Sequence, residues 1–140
     1  MNAQALDAAF RATTYRAHTA DGVFDLRIGV ANSAFDAFLH RRNISCWGLL
    51  TACNPGAVRD DVENARRQQR LRERLRELAW SFVPACNLAD DGAWPPEPGF
   101  LLLQVRAEAL RDLAAEFSQR ACICGNIDDV PRLVYVNPAS

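Results

Sequence analysis

Apolar residues recur at helical spacing near the start of the chain, where Leu6, Ala9 and Phe10 share one face over residues 3–11 and predict a short helix packed on a sheet. Alternation follows. Residues 14–18 and 23–28 read as a hairpin around Thr19-Ala20-Asp21-Gly22, because Asp-Gly turns match the twist of paired strands. Phe24, Leu26 and Ile28 fall on one side, which leaves Asp25 and Arg27 on the wetter one. Asn32-Ser33 offers a cap for a second helix over residues 34–42, with Phe35, Phe38 and Leu39 on its buried side. Residues 46–52 are apolar almost throughout, the mark of a strand covered on both faces, and Asn54-Pro55-Gly56 ends it.

Asp60-x-x-Glu63 matches a capping box and opens the longest helix, over residues 61–79. Leu71, Leu75 and Leu78 form its buried stripe, and tracing that stripe back at roughly 100° per residue meets Gln68 and then Asn64. Amides thus occupy the inward line near the helix start, with Arg67 beside them. The remaining arginines, interleaved with Glu73 and Glu77, predict a solvated face laced by i,i+4 pairs. Residues 80–86 and 100–105 read as strands on either side of a proline-rich loop, Trp94-Pro95-Pro96-Glu97-Pro98. Each proline fixes its own φ and holds its predecessor extended, so Trp94 and Glu97 are displayed on a backbone with little freedom left. Leu110, Leu113, Ala114 and Phe117 mark a last helix over residues 107–118, and residues 121–125 and 132–136 read as closing strands.

From the strand at Cys46 onward the order is β-α-β-β-α-β plus one strand, the split β-α-β arrangement of ferredoxin-like domains. The expected class is α+β, with the first helix, the hairpin and the second helix added to that core. A chain of 140 residues is expected to form one domain, over residues 1–137, with 138–140 as a loose end.

Sixteen Lys+Arg against 17 Asp+Glu leave a formal net charge of -1, so nucleic acid is not the expected partner. No apolar run approaches the roughly 20 residues that span a bilayer, and Met1-Asn2-Ala3-Gln4 does not open a signal sequence, so the expected setting is the cytoplasm with no membrane partner. The cysteines, at 46, 53, 86, 122 and 124, are odd in number and lie in apolar segments, as reduced core thiols do. Cys122-x-Cys124 has no Cys-x-x-Cys or His pair beside it, so no metal and no other cofactor is expected.

Four segments, Thr51-Ala52-Cys53-Asn54-Pro55, Glu63-Asn64-Ala65-Arg66-Arg67, Trp94-Pro95-Pro96-Glu97-Pro98 and Phe117-Ser118-Gln119-Arg120-Ala121, together resemble a bacterial family known as domain of unknown function 3293. Thr14-Tyr15-Arg16 and Leu26-Arg27-Ile28-Gly29 are also similar to it. The resemblance implies that these segments act together, and it implies no activity. Cys53 stands where the family usually has tryptophan, Arg120 where an asparagine usually follows Gln119, and Ala93 where an acid commonly precedes the tryptophan.

The expected site lies where the end of the strand at Thr51 meets the first turns of the following helix, since helix N-termini attract anions and arginine can clamp them. Thr51, Asn54, Asn64, Arg67 and Gln68 would hold a small anionic metabolite or nucleotide there. Trp94 would stack on it, and Glu97 and Gln119 would complete the wall. Glu97 is also the one candidate for a catalytic base, in an enzyme of undefined class. The plainer alternative is that Asn54 and Asn64 satisfy loop backbone groups. On the sequence alone, Arg67 should either meet an acid such as Glu97 or leave a charge ready for a ligand. A protein-interaction or homodimerisation module, using the Trp94 loop or a sheet edge, is the remaining reading.

Overall fold

The computed structural model describes residues 2–53 and 59–136. Its helices are α1 (Ala3–Arg11), α2 (Ser33–Arg41), α3 (Asp61–Glu77) and α4 (Ala107–Glu116). Its strands are β1 (Thr13–Thr19), β2 (Gly22–Leu26), β3 (Cys46–Leu50), β4 (Ser81–Ala89), β5 (Glu97–Leu103), β6 (Ala121–Asn126) and β7 (Arg132–Tyr135). The strands form one sheet in the order β2-β1-β4-β5-β3-β6-β7, and every neighbouring pair is antiparallel. The class is therefore α+β, as the sequence indicates.

Side chains alternate across the strands, so the sheet has two apolar faces and needs two covers. On one face Trp47, Leu49, Leu101 and Ile123 meet Phe35, Phe38 and Leu39 of α2. On the other, Leu50, Phe100 and Leu102 meet Leu71 and Leu75 of α3 and Leu110 and Leu113 of α4. The all-apolar β3 is explained by its place between β5 and β6, covered on both sides. Trp47 packs edge-on against Phe35, with ring centroids 5.2 Å apart, and its indole lies over Gly125 so closely that a Cβ there would overlap the ring.

The two helix starts that the sequence marks, at Asn32 and Asp60, are capped by those side chains, and Asn2 caps α1 in the same way. Asn2 accepts from the Ala5 amide, Asn32 from that of Phe35 and Asp60 from that of Glu63, at 2.8, 3.0 and 3.0 Å. The arginines of α3 pair differently from expectation. Arg66–Glu63 and Arg74–Glu77 are i,i+3 pairs, and Arg74 also crosses to Glu116 of α4, because the acids lie one turn away at that shorter spacing.

Several strand limits also differ, among them the end of β4, which runs on to Ala89, three residues past its expected end. β3 stops at Leu50, two residues before the expected end, and β5 starts at Glu97, three before its expected start. Pro98 therefore sits inside a strand, opposite Cys86 of β4. Its carbonyl faces β3, where it accepts from Thr51 Oγ1 at 2.9 Å, so its nitrogen faces the same way. The β3–β5 ladder has already ended at the Leu50–Phe100 pair, so the donor that proline lacks would have had no partner strand. The β4–β5 connection is closed by Gly92, at φ +69°, whose amide donates to Ala89, and by Asp91, which accepts from the Ala93 amide.

No helix among the described residues is long and apolar enough to cross a membrane. The stretch 138–140, expected to be a loose end, lies outside the described residues, as does the expected strand terminator Asn54-Pro55-Gly56.

Candidate functional site

The chain leaving β3 is held by three polar side chains. Gln68 of α3 accepts from the Ala52 amide at 3.2 Å, and Arg67 donates through Nε to the Ala52 carbonyl at 2.5 Å. Gln119, 9% exposed, donates to the Cys53 carbonyl at 2.9 Å. Arg67 also reaches the carbonyl of Phe117, which caps the end of α4 and where a cation is favoured by the helix dipole. Of the inward amide line traced on α3, Gln68 thus ends on backbone. Arg67 neither meets Glu97 nor faces an open space with its Nε and Nη2, because two carbonyls take them.

A second feature lies at the same end of the sheet. α1 passes over the ends of β3, β4, β5 and β6 and roofs a cavity of about 270 Å³. Leu6, Ala9 and Phe10 of α1 line its roof, and Leu49, Ala121 and Ile123 supply apolar floor. Thr51, Asn87, Glu97 and Gln119 add polar groups, Tyr15 and Cys53 lie among them, and Trp94 stands at the rim, 42% exposed. The roof is fastened at its C-terminal end. Tyr15 Oη donates to the Phe10 carbonyl at 3.3 Å, Thr13 Oγ1 to that of Ala9 at 2.7 Å, and Arg27 Nη2 to that of Arg11 at 3.1 Å. No residue of α1 is fully buried, so the helix covers the cavity without filling it.

Electrostatically the cavity centres on Glu97. Burial pushes its carboxyl up from the ordinary range, while the neighbouring Thr51 and Asn87 side chains, and the more distant Arg59, pull the other way. Among the described residues Glu97 has no ion-pair partner within 4.0 Å. Burial also pushes up the Tyr15 phenol and the Cys53 thiol, and the negative charge of Glu97 adds to both shifts. Both groups therefore stay protonated at neutral pH. The cavity offers an apolar body, neutral donors and one carboxyl, and among the described residues the exposed Arg120 is the one cation in its lining.

Of the residues expected to form a site, Thr51, Trp94, Glu97 and Gln119 share this cavity. Asn64, Arg67 and Gln68, on α3, are not among its lining residues, although Arg67 shares the Phe117 carbonyl with Gln119 of the wall, and Asn54 lies outside the described residues. Tyr15, Asn87 and α1 were not singled out from the sequence. Asn87 had a usable signal: counting back from the Asp91-Gly92 turn pairs it with Glu97 across the hairpin, as the β4–β5 register does. Among the described residues no group of three or more His, Cys, Asp or Glu side chains could hold a metal ion.

A model of the family described as "Protein of unknown function (DUF3293)" matches residues 50–122, which run from the end of β3 to the start of β6. That span carries Thr51, Cys53, Asn87, Trp94, Glu97 and Gln119, the polar half of the cavity wall. α1 and Tyr15 lie before it. No curated protein matches the chain, and no solved structure does.

Proposed function

The chain belongs to the DUF3293 family, and from that premise we propose that it is a binding protein for a compact small molecule, held in the cavity between α1 and the strand ends. The observation that carries this reading is a half-buried carboxyl without an ion-pair partner among the described residues, set in a largely apolar cavity beside Thr51, Asn87 and Tyr15, with the exposed Arg120 also in its lining. Convergent polar groups on an apolar wall are the usual composition of a ligand site, and about 270 Å³ lies just below the roughly 300–1,000 Å³ such sites span, which suits a compact ligand. The anionic ligand expected from the sequence is repelled by Glu97, the one acid of the lining among the described residues, and Arg67 is engaged elsewhere, which leaves the exposed Arg120 as the one described lining cation that could meet it.

The test is a fragment screen by 15N-1H NMR on wild type and on Ala9→Trp, a substitution that fills the cavity from its roof. Wild type should show hits that shift the Trp94 indole and the Thr51, Asn87 and Tyr15 amides, and Ala9→Trp should lose them. Hits that persist in Ala9→Trp, or shift only residues of α3, would sink the reading.

We also read β3 through β6, with α3 and α4, as a ferredoxin-like split β-α-β unit, extended by β7 on one side and by the β1–β2 hairpin on the other. The order β4-β5-β3-β6, with both helices on one face, supports it. Cross-strand NOEs from β3 to only one of β5 and β6 would rule it out.

A further inference from the structure

Carboxylates seldom sit in apolar surroundings without a compensating charge, because desolvation of an ion is expensive unless an opposite charge offsets it. Arg120 lines the cavity but is exposed and is not among the charges acting on Glu97, and the other cations near this end of the sheet are committed elsewhere. Arg27 holds Asp90 at 2.6 Å, Arg16 holds Asp25 at 2.8 Å, and Arg67 holds the Ala52 and Phe117 carbonyls. Arg59 acts on Glu97 only at a distance, as the smallest of the influences on it. The polar neighbours of the carboxyl, Thr51 and Asn87, are neutral and do not cancel its charge.

Deepening the reading of this cavity as a binding site, we infer that its ligand is a compact molecule bearing a protonated amine, which Glu97 receives while the apolar wall and the Trp94 rim take the rest. Three features of the cavity agree with a cation and with nothing more highly charged. Among the described residues Glu97 is the one acid in the lining, and a single carboxylate matches a single positive charge. The aromatic faces of Tyr15, Phe10 and Trp94 attract ammonium groups, each such contact contributing about 0.5–2 kcal/mol. A divalent metal would need several anionic ligands, and the described residues supply no such cluster.

Three probes that share a ring and differ in the head group test this at pH 7.5: benzylamine, benzyl alcohol and benzoate, titrated into wild type, Glu97→Gln and Ala9→Trp and followed by 15N-1H NMR. Benzylamine should bind wild type at least tenfold more tightly than either other probe. Glu97→Gln should lose that preference while retaining its affinity for benzyl alcohol, which also shows that the variant is folded. Ala9→Trp should bind none of the three at the cavity. Equal binding of benzyl alcohol and benzylamine, or tighter binding of benzoate, overturns the amine class while leaving the cavity as a site. A preference for benzylamine that survives in Glu97→Gln overturns the role of Glu97. Binding of no probe at the cavity, or binding unchanged in Ala9→Trp, overturns this inference and the proposed function together.

Discussion

Arg67 and Gln119 donate to the same acceptor, the carbonyl of Phe117, at 2.5 and 3.2 Å, and each also grips the backbone as it leaves β3. The end of α4 and the exit of β3 are thereby tied through one oxygen. Replacing Arg67 by Ala removes two charge-assisted hydrogen bonds, each of about 1.5–3 kcal/mol before relaxation, so a net loss of roughly 2–4 kcal/mol is expected in urea denaturation. Arg67→Lys should recover only part of it, because one ammonium cannot reproduce the planar fork. Phosphate at constant ionic strength should raise the stability of wild type no more than that of Arg67→Ala. A larger rise in wild type would mean that Arg67 serves an anion after all.

Gly125 is a packing requirement. An alanine Cβ would overlap the indole of Trp47, which is 1% exposed and has no room to retreat. Gly125→Ala should cost roughly 1–3 kcal/mol through the strain of overpacking and should alter the near-ultraviolet dichroism of the tryptophans. Unchanged stability and spectrum would show that β6 can shift away from β3 more easily than this packing allows.

Glu97 sets a pH dependence of definite sign. Its folded-state carboxyl is raised by burial, so its stabilising contribution is present below the unfolded value and is lost as pH rises through the folded one. Glu97→Gln should therefore be at least as stable as wild type at pH 7.5, with the difference shrinking or reversing near pH 4. Paired denaturation curves at the two pH values check this. A variant much weaker at pH 7.5 than at pH 4 would contradict it.

Asp90 behaves in the opposite sense. Hydrogen bonds from Arg27 and Thr14 lower its carboxyl to about 2 from the ordinary 3.8. The stability it contributes is complete above the unfolded value and fades as pH falls through the folded one, across about pH 4 to 2. Carbon-detected NMR titration should place its midpoint near 2, and Asp90→Asn should be less stable than wild type at neutral pH, with the gap closing in acid. A midpoint at the ordinary value would mean that the Arg27 pair does not persist in solution.

The cysteines should divide by burial. Cys122 is 2% exposed and its thiol is pushed up to about 12, whereas Cys46 and Cys86 are partly exposed. A short maleimide pulse read by mass spectrometry should label Cys46 and Cys86 first and leave Cys122 untouched until denaturant is added. Early labelling of Cys122 would show that its strand opens.

Helix stripes, caps and turns were legible in the sequence because each depends on neighbours three or four positions away. The inward line Gln68 and Asn64 came from the same local arithmetic, and Gln68 does point at β3. The start of β5 was not legible. Whether Pro98 may join a strand depends on which neighbour its nitrogen faces, and that follows from β3 ending at Leu50, a fact of pairing between distant segments. The site was half legible for a similar reason. Thr51, Trp94, Glu97 and Gln119 were named, but Tyr15 reads as one more alternating strand residue until α1 is seen to bridge above it rather than pack down. The role of Arg67 was misjudged because backbone carbonyls, unlike acids, leave no mark in a sequence.

The fastening of α1 has a consequence for how this cavity could diversify. Thr13, Tyr15 and Arg27 hold the helix through the carbonyls of Ala9, Phe10 and Arg11, groups that every residue type provides. Leu6 and Ala9 can therefore be exchanged for larger, smaller or polar side chains without undoing the latch. Shape and polarity above Glu97 become free to vary in evolution or in the laboratory, while the strands below, which carry both cores, stay as they are.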